Sequence, residues 1–122
     1  MTYIFHIINS SDWDLAQKKG VYSPKSLKIE GFIHCSQTDQ IINVANSFYK
    51  GQEELLLLRI KQGQVRAEVK HEPPLEAPLS GLLFPHIYGD LNLDAVDKVF
   101  KFPSEQGGFF VLPIGLLDEP PC

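Results

Sequence analysis

The chain has 122 residues, of which 43% are hydrophobic and 21% charged. This length and composition are typical of one globular domain, large enough to bury an apolar core without a disulfide or metal, and they exclude a long disordered chain. The formal net charge of −4 argues against a nucleic-acid partner, because such binders usually carry a basic face, but it is compatible with a small anionic or nucleotide ligand. We predict a single domain over 1–122, with a core over about 2–113 and a tail over 114–122.

Neither the cysteines nor the N-terminus indicates export. Cys35 is mid-chain and Cys122 is the last residue, which favours reduced thiols over a disulfide framework. The opening "MTYIFHIINSSDWD" lacks the basic and apolar regions of a signal peptide, and the apolar run "LLLL" is too short to span a membrane. We therefore expect a cytoplasmic protein without a membrane segment.

In chain order, the first half predicts strands alternating with helices. Apolar β-branched and aromatic residues favour strands, whereas capping residues and apolar residues at helical spacing favour helices. The predicted elements are a strand over 2–8, a helix over 11–20, a loop over 22–28, a strand over 29–34, and a helix that Thr38 caps and Gly51 ends.

The second half predicts mostly β-structure. A buried strand over 54–60 is followed by a turn over 61–63 and a returning hairpin strand over 64–70. The stretch "HEPPLEAPLSGLL" is then an irregular loop of a length that often serves packing or function. A helical turn over 92–96 and closing strands over 99–102 and 109–112 complete the chain. This order predicts the α+β class.

Three of the four histidines lie between apolar residues, in "IFHII", "FIHCS" and "FPHIY". One interpretation is that each ring is a half-buried core residue whose nitrogens bond to backbone carbonyls. The other is a site, because histidine serves as acid, base or directional donor near neutral pH. Three such rings together favour the site.

Two chemistries receive little support from the spacing. Metal ligation by His6, His34, His86 and Cys35 lacks the short spacings of metal motifs, so no metal is expected. Cys35 and His34 are strand neighbours that point to opposite faces, so a base for a cysteine nucleophile would have to be His6 or His86. An apolar role for Cys35 behind the site is the favoured interpretation.

A ligand-binding chemistry fits better. His34 and Ser36 are two residues apart on one strand face with Phe32, and they suit a ribose diol or a phosphate oxygen. Tyr22 and Tyr88 could stack on an aromatic ring, although ordinary core packing is the alternative, particularly for Tyr22. The candidate catalytic carboxylates are Glu30 and Glu72.

The motifs "EGFIHCS" and "FPHIYG" resemble those of the bacterial domain-of-unknown-function family 952. The resemblance runs roughly from Tyr3 to Pro113. It implies no assigned activity, although some members bear a glutathione-transferase-like label.

More distantly, "FHIIN", "EGFIHCS" and "LLLLRIKQGQV" resemble, in that order, segments of RNA 2′-phosphotransferases. This resemblance implies the ADP-ribosyltransferase-like fold, in which NAD or an ADP-ribosylated intermediate binds in a cleft between two small sheets. The resemblance implies that His6 and His34 lie on the ribose and nicotinamide side, that Ser36 is the matching serine of the second strand, and that His86 or Tyr88 stands in the third motif. Glu30 stands where those enzymes carry a basic residue, which disfavours RNA.

These observations lead to one main hypothesis. We expect a split, curved, mostly antiparallel β core with a few short helices, of the ADP-ribosyltransferase-like type, and an ADP-ribosyl or phospho-group transferase that uses NAD or an ADP-ribose-type nucleotide. The candidate catalytic residues are His34, His86 and Glu72, and the candidate ligand-binding residues are His6, Ser36, Tyr22 and Tyr88. The alternatives are a non-catalytic module for a small anionic metabolite, a glutathione-transferase-like or other thiol- or metal-dependent enzyme, and structural histidines beside a partner surface.

Overall fold

Eight short strands and three α-helices form the part of the chain that the computed structural model describes, residues 2–118. The strands are β1 (Tyr3–Asn9), β2 (Val21–Tyr22), β3 (Ile33–His34), β4 (Leu55–Lys61), β5 (Glu68–Glu72), β6 (Phe84–Tyr88), β7 (Leu91–Asn92) and β8 (Val96–Lys101). The helices are α1 (Ser10–Lys19), α2 (Lys25–Ile29) and α3 (Ile41–Phe48). Single 3₁₀ turns occupy Thr38–Gln40, Gln62–Gln64, Leu93–Ala95 and Gln106–Gly108.

The strands pair in three antiparallel sheets, with the orders β1-β4-β8, β2-β7 and β3-β6-β5. The chain is therefore a small α+β domain with mostly antiparallel sheets and few helices, as predicted. β4 is the central strand of the first sheet and packs on both faces. Leu57 faces one apolar cluster and Leu58 faces the other, which explains the uninterrupted apolar run in the sequence.

The first two helices begin and end at residues suited to those positions. The Asn9 side chain accepts a hydrogen bond from the Asp12 backbone N–H, so Asn9 caps α1, which begins at Ser10 rather than at the predicted residue 11. Gly20 ends α1 with a φ of 80°, a left-handed conformation that glycine adopts without strain. Pro24 precedes α2, where its missing N–H costs no helical hydrogen bond.

An isolated bridge joins the two three-stranded sheets. The Phe5 backbone N–H donates to the Ser36 carbonyl at 2.9 Å, and the Ser36 N–H donates to the Phe5 carbonyl at 2.8 Å. β1 and the segment after β3 are thus held edge to edge at one point. The candidate cleft lies beside this bridge.

The predictions around the second strand need correction. The segment 22–28 is not a loop, because α2 occupies most of it. The strand predicted over 29–34 shrinks to Ile33–His34, since Ile29 ends α2 and Gly31 reverses the chain with a φ of 90°. Leu27 anchors α2 by packing against the buried core, which is the apolar contact that the helix needs.

The predicted hairpin and the last strand are wrong. β5 does not return along β4; it pairs with β6, because β1 and β8 already occupy both edges of β4. No strand forms over 109–112. Phe110 is buried instead by stacking on Phe102 at a ring-centroid distance of 4.9 Å, and its N–H donates to the Asn46 side chain.

Part of the predicted tail packs on the domain. Leu116 is buried in the second apolar cluster, and the Leu116 and Asp118 carbonyls accept hydrogen bonds from Arg59. The remainder of the tail, including Cys122, lies outside the described residues. Over residues 2–118, no helix is both long and apolar enough to cross a membrane.

Candidate functional site

A cavity of about 690 Å³ opens between β1 and the sheet that contains β3 and β6. Its walls bring together residues that are far apart in the sequence. The lining includes one aromatic residue from the segment before β3, Phe32, together with His6, Tyr22, His34, Ser36 and His86. Five of the seven predicted site residues therefore share one cavity, and Glu72 and Tyr88 lie outside its lining.

Two histidines lie side by side in the cavity lining. His34 and His86 are direct partners in the antiparallel pairing of β3 with β6, which places both side chains on one face of the sheet. Their ring centroids are 5.7 Å apart, in an edge-on arrangement. Phe32 stacks on His86 at 3.9 Å and contacts His34 at 4.8 Å, so an apolar ring fixes the positions of both imidazoles.

Glu72 orients the His86 ring from outside the cavity lining. The Glu72 carboxylate accepts a hydrogen bond from His86 Nδ1 at 2.9 Å, and the same oxygen accepts one from the Tyr88 hydroxyl. These bonds, that from Tyr88 foremost, lower the pKa of Glu72, and the bond to Glu72 raises the pKa of Tyr88 to about 12. Because a carboxylate only accepts, Nδ1 carries the proton.

The other nitrogen of His86 is therefore the one available for chemistry. Within residues 2–118, Nε2 has no hydrogen-bond partner, although the residue is only 3% exposed. It is also not among the fully enclosed polar atoms, and His86 lines the cavity. Glu72 and Tyr88 act on this ring from outside the lining, so Glu72 is placed to position His86 rather than to touch a ligand.

His6 has a different environment. Its Nδ1 donates to the His34 carbonyl at 2.6 Å, and the Tyr22 hydroxyl donates to Nε2 at 2.8 Å. Burial lowers the pKa of His6 to about 4, and burial also raises the pKa of Tyr22. Both side chains line the cavity, but their hydrogen bonds join them to each other and to the β3 backbone. His6 and Tyr22 therefore form part of the cavity wall and stabilise it through these hydrogen bonds.

His34 and Ser36 contribute two further polar groups to the cavity lining. His34 Nε2 lies 3.0 Å from Glu30 Oε1, and the His34 side chain is half exposed. Ser36 is 6% exposed and uses its backbone in the bridge to Phe5, while its hydroxyl has no partner within residues 2–118. The predicted alternation is confirmed for Ile33, which packs in the core and is absent from the lining, whereas Cys35 packs in the core and also belongs to the cavity lining.

Cys35 is a buried free thiol in the first apolar cluster, as the alternation predicted. Burial raises the pKa of this thiol, which disfavours the thiolate that a nucleophile needs. The described residues contain no group of three or more His, Cys, Asp or Glu placed to hold a metal ion.

Sequence reasoning missed two features of the cavity. The stacking of Phe32 on His86 could not be predicted from the residues around Phe32, although the alternation already placed this ring on the same face as His34. The acidic lining residues Asp12 and Glu76 come from α1 and from the loop after β5, and only the folded chain brings them to one cavity.

The motifs that carry His34 and His86 both lie within one family match. Over residues 7–99, the sequence matches the family described as "Protein of unknown function (DUF952)". The chain belongs to the DUF952 family. This confirms the closer of the two predicted resemblances; the match itself says nothing about the ADP-ribosyltransferase-like one.

Solved structures of one bacterial protein share this DUF952 fold. The crystal structure of protein CC0527 from Caulobacter crescentus has 28% sequence identity and a TM-score of 0.82, covering 94% of this chain and 98% of that one. A double mutant of CC0527 gives 29% identity and a TM-score of 0.80 over the same shares of the chains. The solution structure of CC0527 gives 26% identity and a TM-score of 0.69, over 89% and 91%. No curated protein matches the chain.

Proposed function

We propose that this DUF952 protein is an enzyme that cleaves or transfers the ribosyl group of an N-ribosyl nicotinamide ligand of the NAD type, with His86 as general base. One observation carries the proposal: Glu72 holds His86 through Nδ1, Nε2 has no hydrogen-bond partner within residues 2–118, and His86 lines a cavity that His34 and Ser36 also line. A base held by a carboxylate and facing a cleft is a recurrent arrangement in acid–base catalysis.

The choice of ligand rests on the predicted ADP-ribosyltransferase-like resemblance. A cleft beside two small antiparallel sheets is compatible with that fold. The Ser36 hydroxyl and the His34 ring suit the ribose hydroxyls, and Phe32 offers an apolar wall next to both histidines. His6 and Tyr22 keep the wall in place through their mutual hydrogen bond.

The reaction balances with water or another hydroxyl as the acceptor. His86 Nε2 removes the proton from this hydroxyl, and the oxygen forms a bond to the ribose carbon that carries nicotinamide. The carbon–nitrogen bond breaks, and its electron pair leaves with nicotinamide, which becomes neutral. Glu72 stabilises the positive charge that His86 acquires, because its carboxylate bonds to Nδ1.

The test is release of nicotinamide from NAD, followed by proton NMR. We expect His86→Ala to slow release by about 10²-fold or more, the range typical of a lost general base. His71→Ala is the matched control, because His71 is exposed on β5 and bonds to Gln62, outside the cavity lining. Equal rates for the wild type and His86→Ala would contradict the proposal.

A non-catalytic binding module is the second candidate. It is favoured by the position of Glu72, because the predicted catalytic carboxylate lies outside the cavity lining. Saturable NAD binding without nicotinamide release after long incubation would support this function instead. The thiol-dependent alternative is not proposed, since burial disfavours the Cys35 thiolate.

A further inference from the structure

We infer that the cavity selects a positively charged flat ring, so that the preferred ligand is an N-ribosyl pyridinium without phosphate, of the nicotinamide riboside class. This inference rests on the proposed function and names the substrate class of that same site. It replaces the expectation of an anionic ligand with that of a cationic one.

The Asp, Glu, Lys and Arg residues of the cavity lining are all acidic. Asp12, Glu30 and Glu76 contribute carboxylates to the cavity, whereas its lining contains no lysine or arginine anywhere in the described part of the chain. Lys70 pairs with His86 and shares its sheet face, but its Nζ lies over the Tyr88 ring, 4.9 Å from the centroid, and the residue is outside the lining. A phosphate group would meet repulsion here, and a ring cation would meet attraction.

Aromatic side chains form much of the wall. Phe32 lines the cavity and stacks on His86, and five further aromatic residues share the lining: Phe5, Tyr22, Phe48, Tyr49 and Phe84. The face of an aromatic ring attracts a cation, and the attraction grows as water is excluded. Aromatic faces combined with carboxylates favour a flat organic cation over a metal ion or a phosphate.

Two polar groups on the cavity lining can reach a ribose beside that ring. Ser36 is 6% exposed and its hydroxyl has no hydrogen-bond partner within residues 2–118, while His86 is 3% exposed and its Nε2 is equally unpartnered there. Neither atom is fully enclosed, because no fully enclosed side-chain nitrogen or oxygen of the described residues lacks a partner. An accessible hydroxyl and an accessible ring nitrogen on the lining can bond to ribose hydroxyls.

A matched pair of ligands tests the charge directly. Nicotinamide riboside and its reduced dihydro form share the same ribose and nearly the same shape, but only the oxidised ring is positive. We expect titration calorimetry to give roughly tenfold tighter binding for the oxidised form, from cation–aromatic and carboxylate attraction together. Nicotinamide mononucleotide, which adds a phosphate, should bind more weakly than the riboside.

A pair of variants assigns the effect to the lining. Glu76→Gln should weaken binding of the oxidised riboside roughly threefold, the range of one solvent-exposed charge contact, and leave the dihydro form unchanged. Glu53→Gln is the control, since Glu53 is exposed and lies outside the lining. Equal affinity for the two forms, tighter binding of the mononucleotide, or no binding of any of the three would overturn the inference.

These outcomes separate the inference from the proposed function. Charge selectivity without nicotinamide release supports the inference and contradicts the catalytic proposal. Release of nicotinamide with equal binding of the charged and neutral forms does the reverse.

Discussion

At the scale of single residues, His6 and His86 have similar sequence surroundings but different partners. Each ring is anchored through Nδ1, His6 to a carbonyl and His86 to a carboxylate. Tyr22 occupies Nε2 of His6, whereas Nε2 of His86 has no partner within residues 2–118. The predicted strand alternation assigned a face to His34 only, and β6, the strand that carries His86, was not predicted. Local patterns could not identify the partners of His6 and His86, because Tyr22 lies 16 residues from His6 and Glu72 lies 14 residues from His86.

The buried His6 should make stability depend on pH. Its pKa is lowered from 6.5 to about 4, so below pH 6.5 the unfolded chain binds a proton that the folded chain does not. The contribution of His6 to the free energy of unfolding is fully present above pH 6.5. It is lost as the pH falls toward 4, and the total loss is about 3 kcal/mol.

Urea unfolding of the wild type and His6→Gln between pH 7 and pH 4 measures this loss, because the other ionisable groups are common to both proteins. We expect His6→Gln to be less stable at pH 7 but to lack the His6 part of the slope. His71→Gln, in which an exposed histidine is replaced, should keep the wild-type slope. Parallel curves for the wild type and His6→Gln would show that His6 does not titrate in this way.

Glu72 should affect turnover rather than binding. It lies outside the cavity lining and contacts His86 Nδ1, so Glu72→Gln removes the charge that steadies His86 while leaving the ligand's surroundings intact. We expect kcat for nicotinamide release to fall by about tenfold or more with KM nearly unchanged. Steady-state kinetics, with Glu53→Gln as control, measure both constants. A raised KM with an unchanged kcat would place Glu72 on the ligand instead.

At the scale of elements, the sheet β3-β6-β5 gathers the candidate site. Antiparallel pairing puts His34 opposite His86 on one side and Lys70 opposite it on the other, and Glu72 reaches His86 from two pairs further along β5. The sequence identified most strands. It assigned β5 to the wrong partner, because local turn signals favour a hairpin and cannot show that β1 and β8 already occupy both edges of β4.

Gly89, which ends "FPHIYG", lies where two segments approach so closely that a larger residue would clash. A Cβ built on Gly89 would lie 2.9 Å from the Ala67 Cβ, closer than two such atoms can pack. We expect Gly89→Ala to lower the free energy of unfolding by roughly 1–3 kcal/mol, the usual cost of overpacking.

A double-mutant cycle isolates this contact. In Ala67→Gly the opposing Cβ is absent, so adding Gly89→Ala to that background should cost measurably less than adding it to the wild type. Equal costs in both backgrounds would show that the clash is not the cause.

Arg59 connects β4, β8 and the C-terminal segment. It is fully buried, forms a two-pronged ion pair with Asp97 at 2.7 and 2.9 Å, and donates to the Leu116 and Asp118 carbonyls. Its guanidinium also lies over the Tyr3 ring at 4.1 Å. A charged residue within "LLLLRI" was the signal for such a pair, although the sequence could not identify its partner.

Asp97→Asn should therefore be strongly destabilising. It removes the charge that compensates a buried guanidinium, and the expected loss is about 3 kcal/mol. Asp94→Asn is the matched control, because Asp94 forms an exposed pair with Arg66 and should matter much less. Chemical denaturation compares the two variants. Equal losses would mean that burial of Arg59 does not determine the strength of its ion pair.

At the scale of the whole molecule, the Phe5–Ser36 bridge joins the two three-stranded sheets beside the cavity. The order of strands and helices predicted the α+β class. The division into three sheets depends on long-range pairings, such as that of β2 with β7. Strands of only two residues carry too little sequence pattern to predict such a pairing. The cavity follows from that division, so its acidic and aromatic lining emerged only with the fold.

The proposed function requires that His34 and His86 form one ligand site for an N-ribosyl nicotinamide group. The most direct measurement is proton NMR of the ring C–H signals of the four histidines during titration with nicotinamide riboside, which carries this group without phosphate, after assignment by single substitutions. The signals of His34 and His86 should shift together and saturate, that of His6 should follow weakly from its bond to the His34 carbonyl, and that of His71 should stay still. If His34 and His86 do not respond, or if His71 responds equally, the cleft does not bind this ligand and the proposed function is contradicted.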